Sequence, residues 1–188
     1  MKNISIISAS VRTGRKSHRV ALYLKKYLEE NNLAKVNMID LAAYKFPIFE
    51  ERLSYIENPT ADMLSFSAAI NDADGVIIVT PEYNGGYPAS LKNVIDLLYN
   101  EWRRKPIAIS TVSAGAFAGS QVITSLQFSL WKIGALTVPA MFPIGNIDTS
   151  FDEKGQPMDS DSTHKRADKF IRELLYWIEA KQNKANSQ

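Results

Sequence analysis

Short runs rich in β-branched residues alternate along the chain with stretches whose apolar positions recur every three to four residues. Five runs predict strands: Asn3–Ala9, Lys35–Asp40, Gly75–Pro81, Pro106–Val112 and a weaker Ala135–Ala140. Residues 75–81 (GVIIVTP) are apolar almost throughout, as a strand covered on both faces must be. The intervening periodicity predicts helices. The first spans Ser17 to Asn31, with Val20, Leu24, Tyr27 and Leu28 on one face. Thr60 is placed to cap a second that reaches Asp72, and Asp62 falls in its first turn. Pro88 suits the first turn of a third, striped by Leu91, Val94, Ile95 and Leu98. Val122, Ile123, Leu126, Leu130 and Ile133 mark a fourth, and Phe170, Ile171, Leu174, Leu175 and Ile178 a last. Residues 181–188 are polar and are expected to fray.

Strands that alternate with helices imply an α/β fold: a three-layer sandwich, with a five-stranded parallel sheet and helices on both faces, because crossovers are right-handed. The expected strand order is 2-1-3-4-5, the usual solution for five strands. A chain of 188 residues fits one domain, 1–188, and no internal repeat divides it. Two connections, Leu41–Pro59 and Met141–Asp161, are long enough to be functional or disordered.

Composition removes several classes of function. With 22 basic and 20 acidic side chains the net charge is +2, so nothing calls for a nucleic acid partner. There is no cysteine, which excludes disulfides, thiolate metal sites, iron–sulfur clusters and a cysteine nucleophile. Two histidines are too few for a histidine-rich metal site. No apolar run approaches the roughly 20 residues that span a bilayer, and the N-terminus lacks a signal-peptide pattern. A cytoplasmic protein without membrane attachment is the expectation.

In an open parallel sheet ligands bind beyond the carboxyl ends of the strands, so the segments after strands one, three and four matter most. After the first comes Ser8-Ala9-Ser10-Val11-Arg12-Thr13-Gly14-Arg15-Lys16-Ser17, opening a helix. Hydroxyls, an arginine and a helix N-terminus would together hold a phosphate. The plainer alternative is a polar loop in which Ser17 caps the helix. Dinucleotide and P-loop fingerprints both fail here: Gly14 is the loop's single glycine, and Gly14-Arg15-Lys16-Ser17 carries an extra Arg. After strand three comes Thr80-Pro81-Glu82-Tyr83-Asn84-Gly85-Gly86-Tyr87-Pro88. Two prolines stiffen its ends, the glycines let backbone approach a ligand, and Tyr83 and Tyr87 suit a planar ring. A hairpin turn at Asn84-Gly85 fits poorly, since a helix follows. After strand four, Ser113-Ala114-Gly115-Ala116 leaves room for a flat ligand edge, or is a simple connector.

Residues 80–88, with Leu91-Lys92-Asn93-Val94-Ile95-Asp96 behind them, closely resemble the core motif of the NADPH-dependent FMN reductases, a flavodoxin-like family that includes reductases of quinones, azo dyes and chromate. Ser10-Val11-Arg12 resembles that family's phosphate loop and Ser113-Ala114-Gly115 its third flavin-contacting loop. The likeness runs from about Asn3 to Ile133 and weakens afterwards. It implies FMN as cofactor, its phosphate on Ser10, Arg12 and Ser17. The flavin ring would lie against Pro81, Glu82, Tyr83, Asn84 and Gly85, with Ser113 and Gly115 meeting it from the other loop. It further implies NADPH or NADH as donor, a small-molecule electron acceptor, and a homodimer or homotetramer.

This chain departs from the family pattern at Ala9, at the inserted Arg15 and Lys16, and at Arg19. These four positions leave the identity of the phosphate ligands open. Arg12, Arg15, Lys16 and Arg19 would either serve a nicotinamide 2′-phosphate or form a solvated basic helix start. No acid–base residue is nominated, because the flavin does the chemistry. Glu82 is read as a surface or subunit-contact residue, His18 as a surface residue and Asp40 as a loop residue. Trp102, Trp131 and Trp177 are read as core or interface anchors. The competing readings are a flavodoxin-type electron carrier, although such carriers are typically acidic, a cofactor-free regulatory module, and a nucleotide hydrolase built on Lys16.

Overall fold

The computed structural model describes residues 1–185. Its strands are β1 (Lys2–Ser8), β2 (Ala34–Asp40), β3 (Gly75–Pro81), β4 (Pro106–Val112) and β5 (Leu136–Met141). Its helices are α1 (Ser17–Glu30), α2 (Ala61–Asn71), α3 (Ala89–Leu97), α4 (Ser120–Lys132), the one-turn α5 (Ile147–Ser150) and α6 (Ser160–Ala185). The strands form one parallel sheet in the order β2-β1-β3-β4-β5, the flavodoxin-like order expected.

Period-2 alternation along the strands divides the core between the two faces. In β3, Ile77 and Val79 point toward α1 and α6, while Val76 and Ile78 point toward α2, α3 and α4. The first face is completed by Val20, Leu24 and Leu28 of α1 and by Phe170, Ile171, Leu174 and Ile178 of α6. The second holds Phe66, Ile70, Leu91, Val94, Leu126 and Leu130, with Trp102 fully buried and its indole N–H donating to the Ile95 carbonyl at 3.1 Å. The three layers are thus α1/α6, the sheet, and α2/α3/α4.

Several elements differ from expectation at their ends. Pro88 precedes α3 rather than lying inside it, its carbonyl accepting from the N–H groups of Leu91 and Lys92. Helix α6 runs beyond Ala180 to Ala185, and within this stretch Gln182 donates to Asp74 at 2.8 Å and accepts from Lys2. The rest of the expected frayed tail, residues 186–188, lies outside the described residues. Of the tryptophans, Trp102 is core, Trp177 is half-buried, and Trp131 is 66% exposed beside Phe128.

The long connection after β2 is ordered by Asn93 of α3. Its amide donates to the Pro47 carbonyl at 2.8 Å and its carbonyl oxygen accepts from the Phe49 N–H at 2.7 Å. Within it Tyr44 stacks on Phe46, which meets Phe66 edge-on.

At the opposite end of the sheet from these loops, Lys105 is almost wholly buried, and its ammonium donates to the carbonyls of Asn71 and Ala73 where α2 ends. Burial pushes its pKa down to about 8; Lys181 adds to the depression, while Asp74 and Asp72 oppose it. The unfolded chain keeps this proton to about pH 10.4, so between pH 8 and that value the folded state binds fewer protons. Raising pH through this window therefore favours the folded state. Thermal melts of wild type and Lys105→Met across pH 7–10 test this: wild type should gain stability relative to the variant as pH rises. A constant difference would refute the assignment.

Candidate functional site

The carboxyl ends of β1, β3 and β4 lie side by side at the centre of the sheet, so the three loops singled out in the sequence converge. Between them is a cavity of about 280 Å³. It is lined by Ser10, Arg12, Thr13, Gly14, Arg15, Lys16 and Ser17 from the first loop and by Pro81, Glu82 and Tyr83 from the second. Val112, Ser113 and Ala114 from the third loop and Ile147 from α5 complete it. Seven of the ten sequence-predicted residues therefore share one cavity: Ser10, Arg12, Ser17, Pro81, Glu82, Tyr83 and Ser113. Asn84, Gly85 and Gly115 sit in the same loops but outside its lining.

The first loop opens a helix whose N-terminus has no side-chain partner, although the Arg19 N–H donates to the Lys16 carbonyl at 3.0 Å. Each helix N-terminus carries N–H groups unsatisfied within the helix. For α2 the Thr60 hydroxyl accepts one of them, from Met63, and Asp62 adds negative charge. For α4 the Glu82 carboxylate accepts the Gln121 N–H at 3.2 Å. For α6 the Asp159 carboxylate accepts the Ser162 N–H at 3.1 Å. Helices α1 and α3 both lack a side-chain cap and an acidic residue in the first turn, and of these two starts it is that of α1 that lines the cavity. Ser17 does not cap it: it is the first helical residue, 3% exposed, and its hydroxyl is buried without a hydrogen-bond partner. A buried hydroxyl left unpaired costs about 1–3 kcal/mol. A positive helix end, an unpaired donor and the exposed Arg12 on one cavity therefore suit a bound phosphate.

Three of the four basic residues at this helix start are ion-paired, although Lys16, like Arg12, is exposed. Lys16 lies 2.6 Å from Asp148 and Arg19 3.6 Å from it, and Arg19 also donates to the Phe151 carbonyl. Arg15 places two guanidinium nitrogens on the two carboxylate oxygens of Asp40. Arg12 makes no ion pair among the described residues. Asp40 is thus the partner of Arg15 rather than a simple loop residue. Burial pushes its carboxyl up, but the Arg15 hydrogen bonds, the Ala42 N–H and nearby positive charge outweigh this and hold it below its ordinary value. His18 is half-buried, not on the surface, with Nδ1 at 3.0 Å from the Ser8 hydroxyl. Burial lowers its pKa, Asp40 opposing and Arg15 reinforcing the shift.

The second loop does contain a hairpin turn. Tyr83 and Gly86 exchange backbone hydrogen bonds at 2.8 and 3.0 Å, and Asn84 and Gly85 both have positive φ, 52° and 79°. That is the Asn-Gly type I′ preference, which the following helix had argued against. The chain turns tightly and then enters α3 instead of pairing as a long hairpin. The turn brings the Tyr83 hydroxyl to 2.6 Å from Ser10 Oγ, joining the first and second loops. Tyr87 is directed elsewhere, its hydroxyl 2.7 Å from Ser129 of α4, so it does not line the cavity.

The third loop is buttressed from behind by the connection after β5. Ser113 N–H donates to the Ile144 carbonyl, Asn146 N–H to that of Gly115 and Ile147 N–H to that of Ser113, at 3.0–3.2 Å. Gly145 packs so closely that a Cβ there would lie 2.9 Å from the Gly115 carbonyl oxygen and 3.0 Å from that of Ala116. The sequence reading missed Gly145, Ile147 and Asp148. The short Ile147–Ser150 turn lacks the periodicity that would have revealed it.

An α/β sheet of this order is the flavodoxin-like doubly wound fold, in which ligands bind beyond the carboxyl ends of the central strands. Comparisons with known proteins give the family. The profile of the NADPH-dependent FMN reductases matches residues 2–149, reaching past Ile133 to include the buttress. The NAD(P)H-dependent FMN reductase LOT6 of Saccharomyces cerevisiae is 33% identical over 162 residues, covering 77% of this chain and 83% of that protein. A quinone reductase of Pseudomonas putida is 27% identical over 183 residues, 94% of each chain. Among solved structures, the flavoenzyme NAD(P)H:(acceptor) oxidoreductase FerB of Paracoccus denitrificans superposes with a TM-score of 0.78 at 24% identity, over 96% of this chain and 98% of that one. The chain belongs to the NADPH-dependent FMN reductase family: it is an oxidoreductase that uses FMN with NAD(P)H as electron donor. No helix among the described residues is long and apolar enough to cross a membrane.

Proposed function

We propose that the cavity beyond β1, β3 and β4 is the FMN site and that the enzyme reduces small planar acceptors such as quinones, azo compounds or free flavins. The observation that carries the site assignment is the uncapped start of α1, where the buried, unpaired Ser17 hydroxyl and the unpaired Arg12 share one cavity. Arg12, Ser17 and the N–H groups of the loop would hold the phosphate. Pro81 to Gly85 would hold the ring on one side, and Ser113 to Gly115 on the other. The chemistry supplied when FMN is bound is two-electron transfer from the nicotinamide donor to the acceptor.

The chain's own part is positioning. The Ser10–Tyr83 hydrogen bond couples the phosphate loop to the ring-side turn. The Glu82 carboxylate is engaged by the start of α4, which argues against a role as general base. Arg15, Lys16 and Arg19 are paired within the protein, so Arg12 is the remaining cation of the loop for any phosphate. The acceptor class is supported by relatives named quinone reductase and NADPH azoreductase, the latter from Bacillus and 26% identical over 80% of this chain. Exposed aromatic side chains at Phe117, Phe128 and Trp131 support assembly as a homodimer or homotetramer.

The test is spectroscopic. The protein reconstituted with FMN should show visible flavin bands that bleach anaerobically with NADPH or NADH and return on adding a quinone. Riboflavin, which lacks the phosphate, should bind much more weakly. Equal binding of FMN and riboflavin would refute the phosphate site, and bands that persist with both donors would refute the reductase.

A further inference from the structure

Arg15 belongs to the first loop and lines the cavity, and the structure gives its guanidinium an unexpected seat. Its guanidinium lies on Asp40 through two nitrogens, and one of these, NH1, also donates to the Ser10 carbonyl at 2.8 Å. The paired side chains are 19% and 24% exposed. Ser10 is fully buried at the first position of the loop that lines the cavity. Its hydroxyl accepts the Arg12 N–H at 3.3 Å and meets the Tyr83 hydroxyl at 2.6 Å. Asp40 ends β2 and pairs in register with Ser8 of β1, so the anchor belongs to the rigid sheet.

We propose that Arg15 is a positioning residue and not a phosphate ligand: seated on Asp40, it braces the Ser10 carbonyl, and through Ser10 it sets the backbone that carries Arg12. This rests on the reading of the cavity as the FMN site. The seat is self-consistent. Moving the guanidinium to a phosphate would strand a partly buried carboxylate, left with the Ala42 N–H at 3.1 Å and His18 at 3.9 Å. It would also release the Ser10 carbonyl. Arginine suits the role because its planar fork reaches two carboxylate oxygens and a carbonyl at once, which an ammonium on a flexible stem does not. Arg15 thus carries positive charge in the loop without presenting a free cation to the cavity.

The experiment measures FMN and riboflavin dissociation constants, by flavin fluorescence, for wild type, Arg15→Met, Asp40→Asn, the double variant and Arg15→Lys, with a thermal melt of each. A brace predicts that Arg15→Met and Asp40→Asn each weaken FMN by about tenfold, the loss of one charge-assisted contact. The double variant should be no weaker than the worse single, because both act through one link. Riboflavin affinity should stay within a factor of about two, and Arg15→Lys should fail to restore FMN binding.

Arg15→Met weakening FMN while Asp40→Asn tightens it or leaves it unchanged would make Arg15 a direct ligand and overturn the proposal. Arg15→Lys binding as wild type would overturn it too, since charge alone would then suffice. Parallel loss of both flavins would reduce the pair to a general structural role, which also overturns it. Failure of the underlying site reading looks different: wild type itself would show no preference for FMN over riboflavin.

Discussion

Arg12→Ala is expected to weaken FMN binding on the order of 10–100-fold while riboflavin binding changes little. The size follows from the ledger of charge around the loop. Of four cations near the start of α1, Lys16 and Arg19 share Asp148 and Arg15 is held by Asp40. Removing Arg12 leaves a phosphate facing neutral hydroxyls, Ser17 among them, and backbone N–H groups. A hydrogen bond to a charged group contributes about 1.5–3 kcal/mol, and each 1.4 kcal/mol is tenfold in affinity. Arg12 is exposed, so its contribution should also be screened: wild-type FMN affinity should fall with added salt, and that dependence should flatten in the variant. Titrating both flavins at low and high salt separates the cases. Equal weakening of FMN and riboflavin would mean that Arg12 supports the loop instead of meeting the phosphate. An unchanged FMN affinity would place the phosphate elsewhere.

The layers and five main helices were legible because burial on two faces writes continuous apolar strands and amphipathic helices into the sequence; the strand order was not, and 2-1-3-4-5 entered as the usual solution for five strands, which the sheet adopts. The three site loops were legible through position, each following a strand at the centre of the sheet. What escaped depended on contacts between segments remote in sequence. Glu82 looked like a surface acid because nothing near it in sequence shows that it ends against the α4 N-terminus. Arg15, Lys16 and Arg19 looked like one solvated run because Asp40 and Asp148 lie 25 and 132 positions away in their closest pairs. Asn84-Gly85 fits a hairpin poorly in the sequence because a helix follows instead of a second strand, whereas the turn needs one backbone pair, Tyr83 with Gly86. Ser90 and the motif residue Asn93 are also structural: Ser90 donates to the Ala9 carbonyl at 2.7 Å, and Asn93 clasps the connection after β2. Part of that motif therefore preserves the scaffold beneath the site.

Gly145→Val should damage stability and flavin binding together, and the reason lies in what surrounds it. Its φ is not positive, so the requirement for glycine is steric. A Cβ would approach the carbonyl oxygens of Gly115 and Ala116 at 2.9 and 3.0 Å and the Ala116 carbonyl carbon at 3.3 Å. These are backbone atoms, and they cannot swing aside as a side chain can. The same segments are tied through Ser113, Ile144, Asn146 and Ile147, and the Ser150 hydroxyl holds the Gly145 carbonyl at 2.8 Å. Relief of the clash must break some of these bonds or push the third loop into the cavity that Ser113 and Ala114 line. Overpacking of this kind costs roughly 3 kcal/mol, equivalent to a Tm about 6–12 °C lower for a chain of this size. FMN affinity should fall by roughly tenfold or more, as expected where a binding loop loses its set geometry. Gly115→Ala is the matched control: a Cβ there meets nothing within 4 Å and its φ is not positive, so the melt should be unchanged. If Gly115→Ala nonetheless weakens FMN, the third loop meets the ring closely. If Gly145→Val melts as wild type and binds FMN normally, the connection after β5 does not set this loop, and the buttress has no part in the site.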